Sequence, residues 1–151
     1  MQKSRLHKRG YSLVEVLFGI FLAGLCAMVL AATMPVANNA RSMANNQNTA
    51  LSLAQKQMEA LRSAGYPNMT PDRLLATGLI DSTTAVTANT YSFTNVDVGA
   101  LDSPALRLPN GTGQVRVEQV ALDLRRVTVT LNWRERGRNR SVSVGTMVAN
   151  L

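Results

Sequence analysis

Nineteen consecutive residues, Val16 to Met34, carry no charge and only one clearly polar side chain, Thr33. As a helix the run is about 28 Å long against a hydrocarbon core of about 30 Å, so it predicts one membrane span, and no second run of this kind follows. Four cations, Lys3, Arg5, Lys8 and Arg9, precede it within ten residues that hold no acid. The positive-inside rule keeps such an end in the cytoplasm and sends the rest of the chain outward. One carboxylate, Glu15, stands at the start of the apolar run. An ionised acid in hydrocarbon costs several kcal/mol, roughly, so Glu15 needs a partner. Cutting the chain between Gly10 and Tyr11 would supply one: the new amine on Tyr11 lies four positions from Glu15, on the same helix face. A conventional secretory signal is cut after its apolar core; here the better junction, Gly10, lies in front of it. An uncleaved anchor with Glu15 snorkelling to the interface is the other way to accommodate the charge.

Composition narrows the rest. About 116 residues follow Pro35, enough for one small extracytoplasmic domain. The formal charge falls from +7 to +3 without the leader's four cations, so the pI of about 10.5 says little about a partner. Cys26 is the only cysteine and lies inside the span, which excludes an intramolecular disulfide and suits an ordinary packing residue.

Beyond Pro35, Ala40, Ala44, Gln47, Leu51, Ala54, Met58 and Leu61 recur four and three apart, predicting an amphipathic helix with a narrow seam. Gly65, able to adopt the left-handed cap, and Tyr66-Pro67 end it. One helix from Tyr11 to Ala64 would be about 80 Å long, with Pro35 removing one hydrogen bond near the membrane exit and kinking or melting it there. Thr70-Pro71-Asp72 reads as a cap followed by a short helix that stops at Gly78. Residues 81 to 90 read as a loop, Tyr91 to Val98 as a strand, and Leu106 to Gly113 as turns. Val115 and Val117 alternate with Arg116 and Glu118. Val127, Val129, Leu131 and Trp133 alternate with Thr128, Thr130, Asn132 and Arg134, the clearest half-buried strand in the chain. Glu135 to Asn139 then turns, and Ser141-Val142-Ser143-Val144 returns as the second arm of a hairpin. The expected fold class is α+β: a long N-terminal helix, transmembrane in its first half and amphipathic in its second, packed on a small antiparallel sheet. The expected organisation is a leader at 1–10, a span at 11–35 and a head at 36–151.

Little here can do covalent chemistry. His7, the only histidine, lies in the leader, and the only thiol lies in the span. Ser-His, Cys-His and zinc arrangements are excluded for this chain alone, and the scattered carboxylates and Gly111-Thr112-Gly113 form no catalytic pair or phosphate loop. No enzyme, catalytic residue, cofactor or metal site is expected. Arg134, Arg136, Arg138 and Arg140 surround the hairpin turn, with Arg125, Arg126 and Trp133 nearby. Such a cluster suits nucleic acid phosphates, the acidic surface of a neighbouring subunit, or simply a solvated hairpin partly neutralised by Glu135. Trp133, on the apolar face, reads as core.

The stretch Arg9-Gly10, Tyr11, Ser12, Leu13-Val14, Glu15, followed by an apolar helix, resembles the type IV pilins and pseudopilins with a class III signal peptide. The close resemblance covers roughly residues 5 to 35, with looser similarity at the C-terminal hairpin. Tyr11 stands where Phe is usual, and no cysteine pair closes a C-terminal loop as in many pilins. Leu-Val-Glu-Val-Leu is most similar to the minor, pilus-modifying members. The resemblance implies cleavage between Gly10 and Tyr11 by a prepilin peptidase, methylation of the Tyr11 amine, and an assembly role for Glu15. It implies residence in the inner membrane, leader inside and head outside, then entry into a pilus or periplasmic pseudopilus. The implied partners are the lipid bilayer, major and other minor pilins or pseudopilins, and an inner-membrane assembly platform. Three machines fit: a type IV pilus with this chain as a minor subunit, a type II secretion pseudopilus, or a DNA-uptake pilus that grips nucleic acid through the arginines. A single-pass anchored domain that never polymerises is the alternative outside the family.

Overall fold

A computed structural model describes residues 12–150 of the chain. It divides into two compact units with the boundary between Ser42 and Met43. A single helical element, α1 (Leu13–Ala64), contributes residues to both.

In the first unit the helix has no core to join. Leu13, Val14, Phe18, Ile20, Phe21, Met28, Val29, Leu30 and Met34 are all exposed. This end of α1 is long and apolar enough to cross a membrane. A contiguous apolar surface of this kind is not left to water in a soluble protein; it calls for lipid or other helices. Helix is assigned on both sides of Pro35, with no break. Pro35 still has no N–H to give the carbonyl of Ala31, and Thr33 Oγ1 back-bonds to the Leu30 carbonyl at 3.0 Å, so the helix is weakest at the end of the apolar run.

In the second unit α1 becomes one wall of a core. Ala50, Leu53, Ala54, Gln57, Met58 and Leu61 are buried, a stripe at helical spacing. The opposite wall is a four-stranded antiparallel sheet in the order β1 (Thr90–Ser92), β2 (Thr112–Ala121), β3 (Leu124–Glu135) and β4 (Arg138–Ala149). Val115, Val127, Val129, Leu131 and Trp133 face the helix, as the alternation in β3 predicts. The short helices α2 (Pro71–Ala76) and α3 (Pro104–Arg107) and their loops close the core with Met69, Leu74, Leu79, Ile80, Phe93, Val96 and Leu108.

Several details depart from the sequence reading. The seam holds from Ala54 through Met58 to Leu61, but Ala40, Ala44, Gln47 and Leu51 are exposed. Ala50 lies under the sheet in place of Leu51 because it falls on the helical stripe of Leu53, Ala54, Gln57 and Leu61, and Leu51 is rotated off it. Gln57 enters the core because its amide Nε2 donates to the Leu79 carbonyl at 2.6 Å, so a buried polar group is satisfied. Gly65 has φ 76°, but ψ 168° is extended, so it turns the chain without adopting the left-handed helical cap; a 3₁₀ turn, Tyr66–Asn68, follows. Pro71 opens α2 as expected, yet the Thr70 side chain makes no capping bond, and the Thr70 carbonyl accepts from Leu74 N instead.

The strand expected over Tyr91 to Val98 ends at Ser92. The Asp81 carboxylate accepts from the Ser92 hydroxyl and the Asn95 N–H, and Thr94 Oγ1 accepts from Gly113 N, so side chains take over from the ladder. Gly113 is required there. A Cβ on it would lie 2.6 Å from the Phe93 ring.

The turn between β3 and β4 is tighter than Glu135 to Asn139. The strands run through Glu135 and from Arg138, leaving Arg136 (φ 50°) and Gly137 (φ 77°) as a two-residue turn with both φ positive, the arrangement that suits the right-handed twist of a hairpin.

The seam makes a direct prediction. Leu61→Ala should destabilise the head by about 2–5 kcal/mol, whereas Leu51→Ala should cost less than about 1 kcal/mol. Trp133 is the only tryptophan and is buried, so its fluorescence during urea unfolding of the full chain in detergent reports both. The reverse order would place Leu51, not Ala50, under the sheet.

Candidate functional site

Two places carry the candidate residues: the start of α1 and the β3–β4 hairpin. Gly10 and Tyr11, the expected cleavage junction and methylation site, lie outside the described residues, as does His7. Glu15 occupies the first turn of α1 and is exposed. The Ser12 carbonyl accepts from Glu15 N at 2.9 Å and from Val16 N at 3.2 Å, which makes Ser12 the residue from which the helix starts. Ser12 and Glu15 therefore have capping-box spacing, and a carboxylate in the first turn is favoured by the unpaired N–H groups of the helix start. Sequence reasoning passed over this second use of Glu15, although Ser-x-x-Glu before an apolar run was its signal. The carboxylate is thus placed to start a helix, and substitutions that keep or remove its hydrogen-bonding capacity separate that use from the expected pairing with an amine.

The four hairpin arginines are all exposed, but the register divides them. Arg138 pairs with Glu135 and Arg140 with Trp133, so both lie on the helix-facing side of the sheet. Arg134 pairs with Asn139 on the opposite face, and Arg136 sits in the turn. They make one basic end of the sheet and not one basic face. Glu135 forms no ion pair with them: its carboxylate Oε1 accepts from Asn46 Nδ2 of α1 at 2.8 Å. Among the described residues none of the four arginines has an ion-pair partner. Trp133 is 4% exposed, a core residue with no face for a base to stack on.

The flanking arginines have separate tasks. Arg125 lies over the Tyr66 ring, 4.4 Å from its centroid, and its Nη1 donates to the Tyr66 carbonyl at 3.2 Å. Tyr66 in turn donates its hydroxyl to the Leu122 carbonyl at 2.7 Å, clipping the end of α1 to the β2–β3 turn. Arg126 is opposite Glu118 on the outer face. Neither extends the basic end.

A third charged cluster was not foreseen. Asp102 Oδ2 accepts from Lys56 Nζ at 2.7 Å, and Asp102 Oδ1 accepts from Arg107 Nε at 3.1 Å. The hydrogen bonds from Lys56 and then Arg107 hold the Asp102 carboxyl below its ordinary value, and Asp102 raises Arg107 in return. This cluster joins α1 to the loop before α3. Its spacing of 46 residues in sequence left no local pattern to find. Among the described residues no group of three or more metal-binding side chains forms.

Compared with family models, curated proteins and solved structures, the chain shows no match.

Because its folded-state pKa is depressed, Asp102 contributes stability that is present above its unfolded value of about 3.8 and lost as the pH falls through its folded value. Asp102→Asn should flatten the pH dependence of stability in that acid window and leave it nearly unchanged near neutrality apart from a small, salt-sensitive loss. Urea midpoints of both proteins across the window test this; parallel curves would mean that the cluster has no net effect.

Proposed function

We propose that this chain is a minor subunit of a type IV pilin-like filament, made as a precursor and assembled through its N-terminal helix. The observation that carries the reading is the sequence Gly10-Tyr11 with Glu15 four residues on, at the start of a helix whose apolar side chains from Leu13 to Met34 are all exposed. A simple anchor needs the apolar run, and a neutral glutamine would serve its helix start without the cost of a carboxylate at its threshold. The α+β head, a helix wall against an antiparallel sheet, is compatible with a pilin-like fold and supports the same reading.

In this scheme the basic leader remains in the cytoplasm and a prepilin peptidase cuts after Gly10. The helix then leaves lipid for a bundle of like helices in the filament core, exchanging lipid contacts for helix contacts. Glu15 sets its depth by pairing with a Tyr11 amine, its own or a neighbour's, and methylation of that amine keeps its positive charge. The secretion pseudopilus shares this N-terminal logic and is the nearest rival; neighbouring genes distinguish them, a retraction ATPase indicating pili. A DNA-uptake role is the weaker reading, because the register sends the hairpin arginines to both faces of the sheet. Nothing in the scheme requires the chain to be an enzyme.

Processing is tested by intact mass. In cells with an active peptidase the mature protein should begin at Tyr11, and Gly10→Leu should retain the leader; native protein that keeps Met1 to Gly10 would sink the reading.

Assembly is tested at Glu15. Glu15→Ala and Glu15→Gln should both insert and be cleaved, yet both should drop out of sheared surface filaments by about tenfold or more relative to the membrane pool, measured by quantitative mass spectrometry. Normal incorporation of Glu15→Gln with loss of Glu15→Ala would assign Glu15 to helix capping, since a glutamine keeps the hydrogen-bonding capacity but not the charge. Normal incorporation of both would remove the assembly role.

A further inference from the structure

The last strand of the sheet has a free side. β4 is twelve residues long and lies at the sheet edge, paired along its length with β3 without a register shift. Which of its backbone groups are free follows from two hydrogen bonds. Arg134 N donates to the Pro109 carbonyl, away from β4, so its partner Asn139 turns its own N–H and C=O away from β3. Asn150 N donates to the Asp123 carbonyl, which fixes the same phase at the far end. The amides and carbonyls of Asn139, Ser141, Ser143, Gly145, Met147 and Ala149 therefore all face the open edge.

Sheet edges are normally blunted by brevity, proline, bulges or inward charges. The opposite edge obeys that rule: β1 has three residues, and β2 is irregular between Gln119 and Ala121. β4 has no proline and no bulge. From Ser141 to Ala149 it has no charge. On the helix-facing side Val142, Val144 and Val148 pack on the core but are only partly buried, so that face stops before it is covered. Arg138 and Arg140 continue the same row toward the turn and have no ion-pair partner among the described residues.

We propose that the β4 edge is a strand-addition site for an extended segment of a partner protein, pairing antiparallel with residues 139–149. Apolar side chains at alternate positions of that segment extend the row of Val142 and Val144, and carboxylates near its C-terminal end meet Arg138 and Arg140. Main-chain hydrogen bonds supply the affinity and the alternate side chains the selectivity. Charge favours this occupant over a second copy: two β4 strands paired antiparallel would set Arg140 beside an uncharged stretch and leave every arginine unmatched. Continuation from β4 to the other edge of a second copy meets the short β1 and the irregular β2. The edge offers this pairing whether or not the chain enters a filament.

The test uses the full chain in detergent micelles and a fluorescein-labelled peptide of about ten residues, valine alternating with serine or threonine and two glutamates at alternate positions near its C-terminus. Polarisation should show saturable binding. Ser143→Pro removes one edge-facing N–H and none of the backbone bonds to β3, losing there only the exposed hydroxyl contact with Thr130 at 2.9 Å, and should weaken binding at least about tenfold, about 1.4 kcal/mol. Should that variant lose its native Trp133 fluorescence, the peptide N-methylated at alternate amides makes the same test on the native protein and should not bind. Arg138→Ser with Arg140→Ser should weaken binding and reduce its salt dependence. Absence of saturation at about 1 mM peptide, or binding indifferent to N-methylation, would overturn the proposal. So would displacement of the peptide by duplex DNA at lower concentration, which would make the arginines a phosphate site, or sedimentation as a dimer that the peptide does not dissociate, which would give the edge to a second copy.

Discussion

The head depends on the contact between one stripe of α1 and one face of the sheet. Ala50, Ala54, Met58 and Leu61 supply the helix side, and Val115, Val127, Val129 and Leu131 the sheet side, all nearly or fully removed from water. Neither surface is stable alone: a single helix of this polarity frays, and a small sheet with a bare apolar face aggregates. With no disulfide available, this burial and the hydrogen bonds at its margins carry the fold. The margins are specific. Gln57 ties the helix to the loop after α2, the Tyr66–Arg125–Leu122 clip ties its end to a hairpin tip, and Asp102 draws Lys56 and Arg107 together.

The two ends of α1 pose opposite solvation problems. Toward the C-terminus the apolar stripe is narrow and is satisfied within the same chain. Toward the N-terminus apolar side chains surround the helix and none is buried. The second condition is resolved only by something outside the chain, lipid or a bundle of helices, and Glu15 lies where the change of surroundings would first be felt. The same carboxylate stands three residues from Ser12 and four from Tyr11, so helix start and the proposed charge pairing would draw on one group.

Where a pattern repeats over many residues the sequence is readable. The nineteen-residue apolar run, the alternation from Val127 to Trp133 and the return through Val142 and Val144 each repeat one physical requirement several times. Their consequences, a span-length helix and a long hairpin, appear in the structure. Decisions made by a single contact are not readable in this way. Leu51 is the more apolar neighbour of Ala50, but the rotation of the buried stripe puts the alanine inside. Gln57 hides in the core behind one hydrogen bond to a carbonyl twenty-two positions away. Tyr91 to Val98 has strand composition throughout, and three side-chain bonds from Asp81 and Thr94 end the strand early. At the candidate site the same limit applies: the arginines are evident as a cluster, while their division between faces depends on a turn of two residues. The charge at Glu15 stands out in the sequence because it violates the pattern around it.

That turn has a consequence for how the chain can vary. Arg136 and Gly137 complete the hairpin with both φ positive, and everything after them alternates between faces. Insertion or loss of one residue within β4 beside the turn would exchange the faces of all that follow, sending Val142, Val144 and Val148 to the polar side and Ser141 and Ser143 against the core. Changes of two residues would preserve the alternation and alter only the reach of the hairpin. Length changes that keep the two strands regularly paired therefore come in even steps, and an odd one has to be taken up by a bulge or by the turn itself.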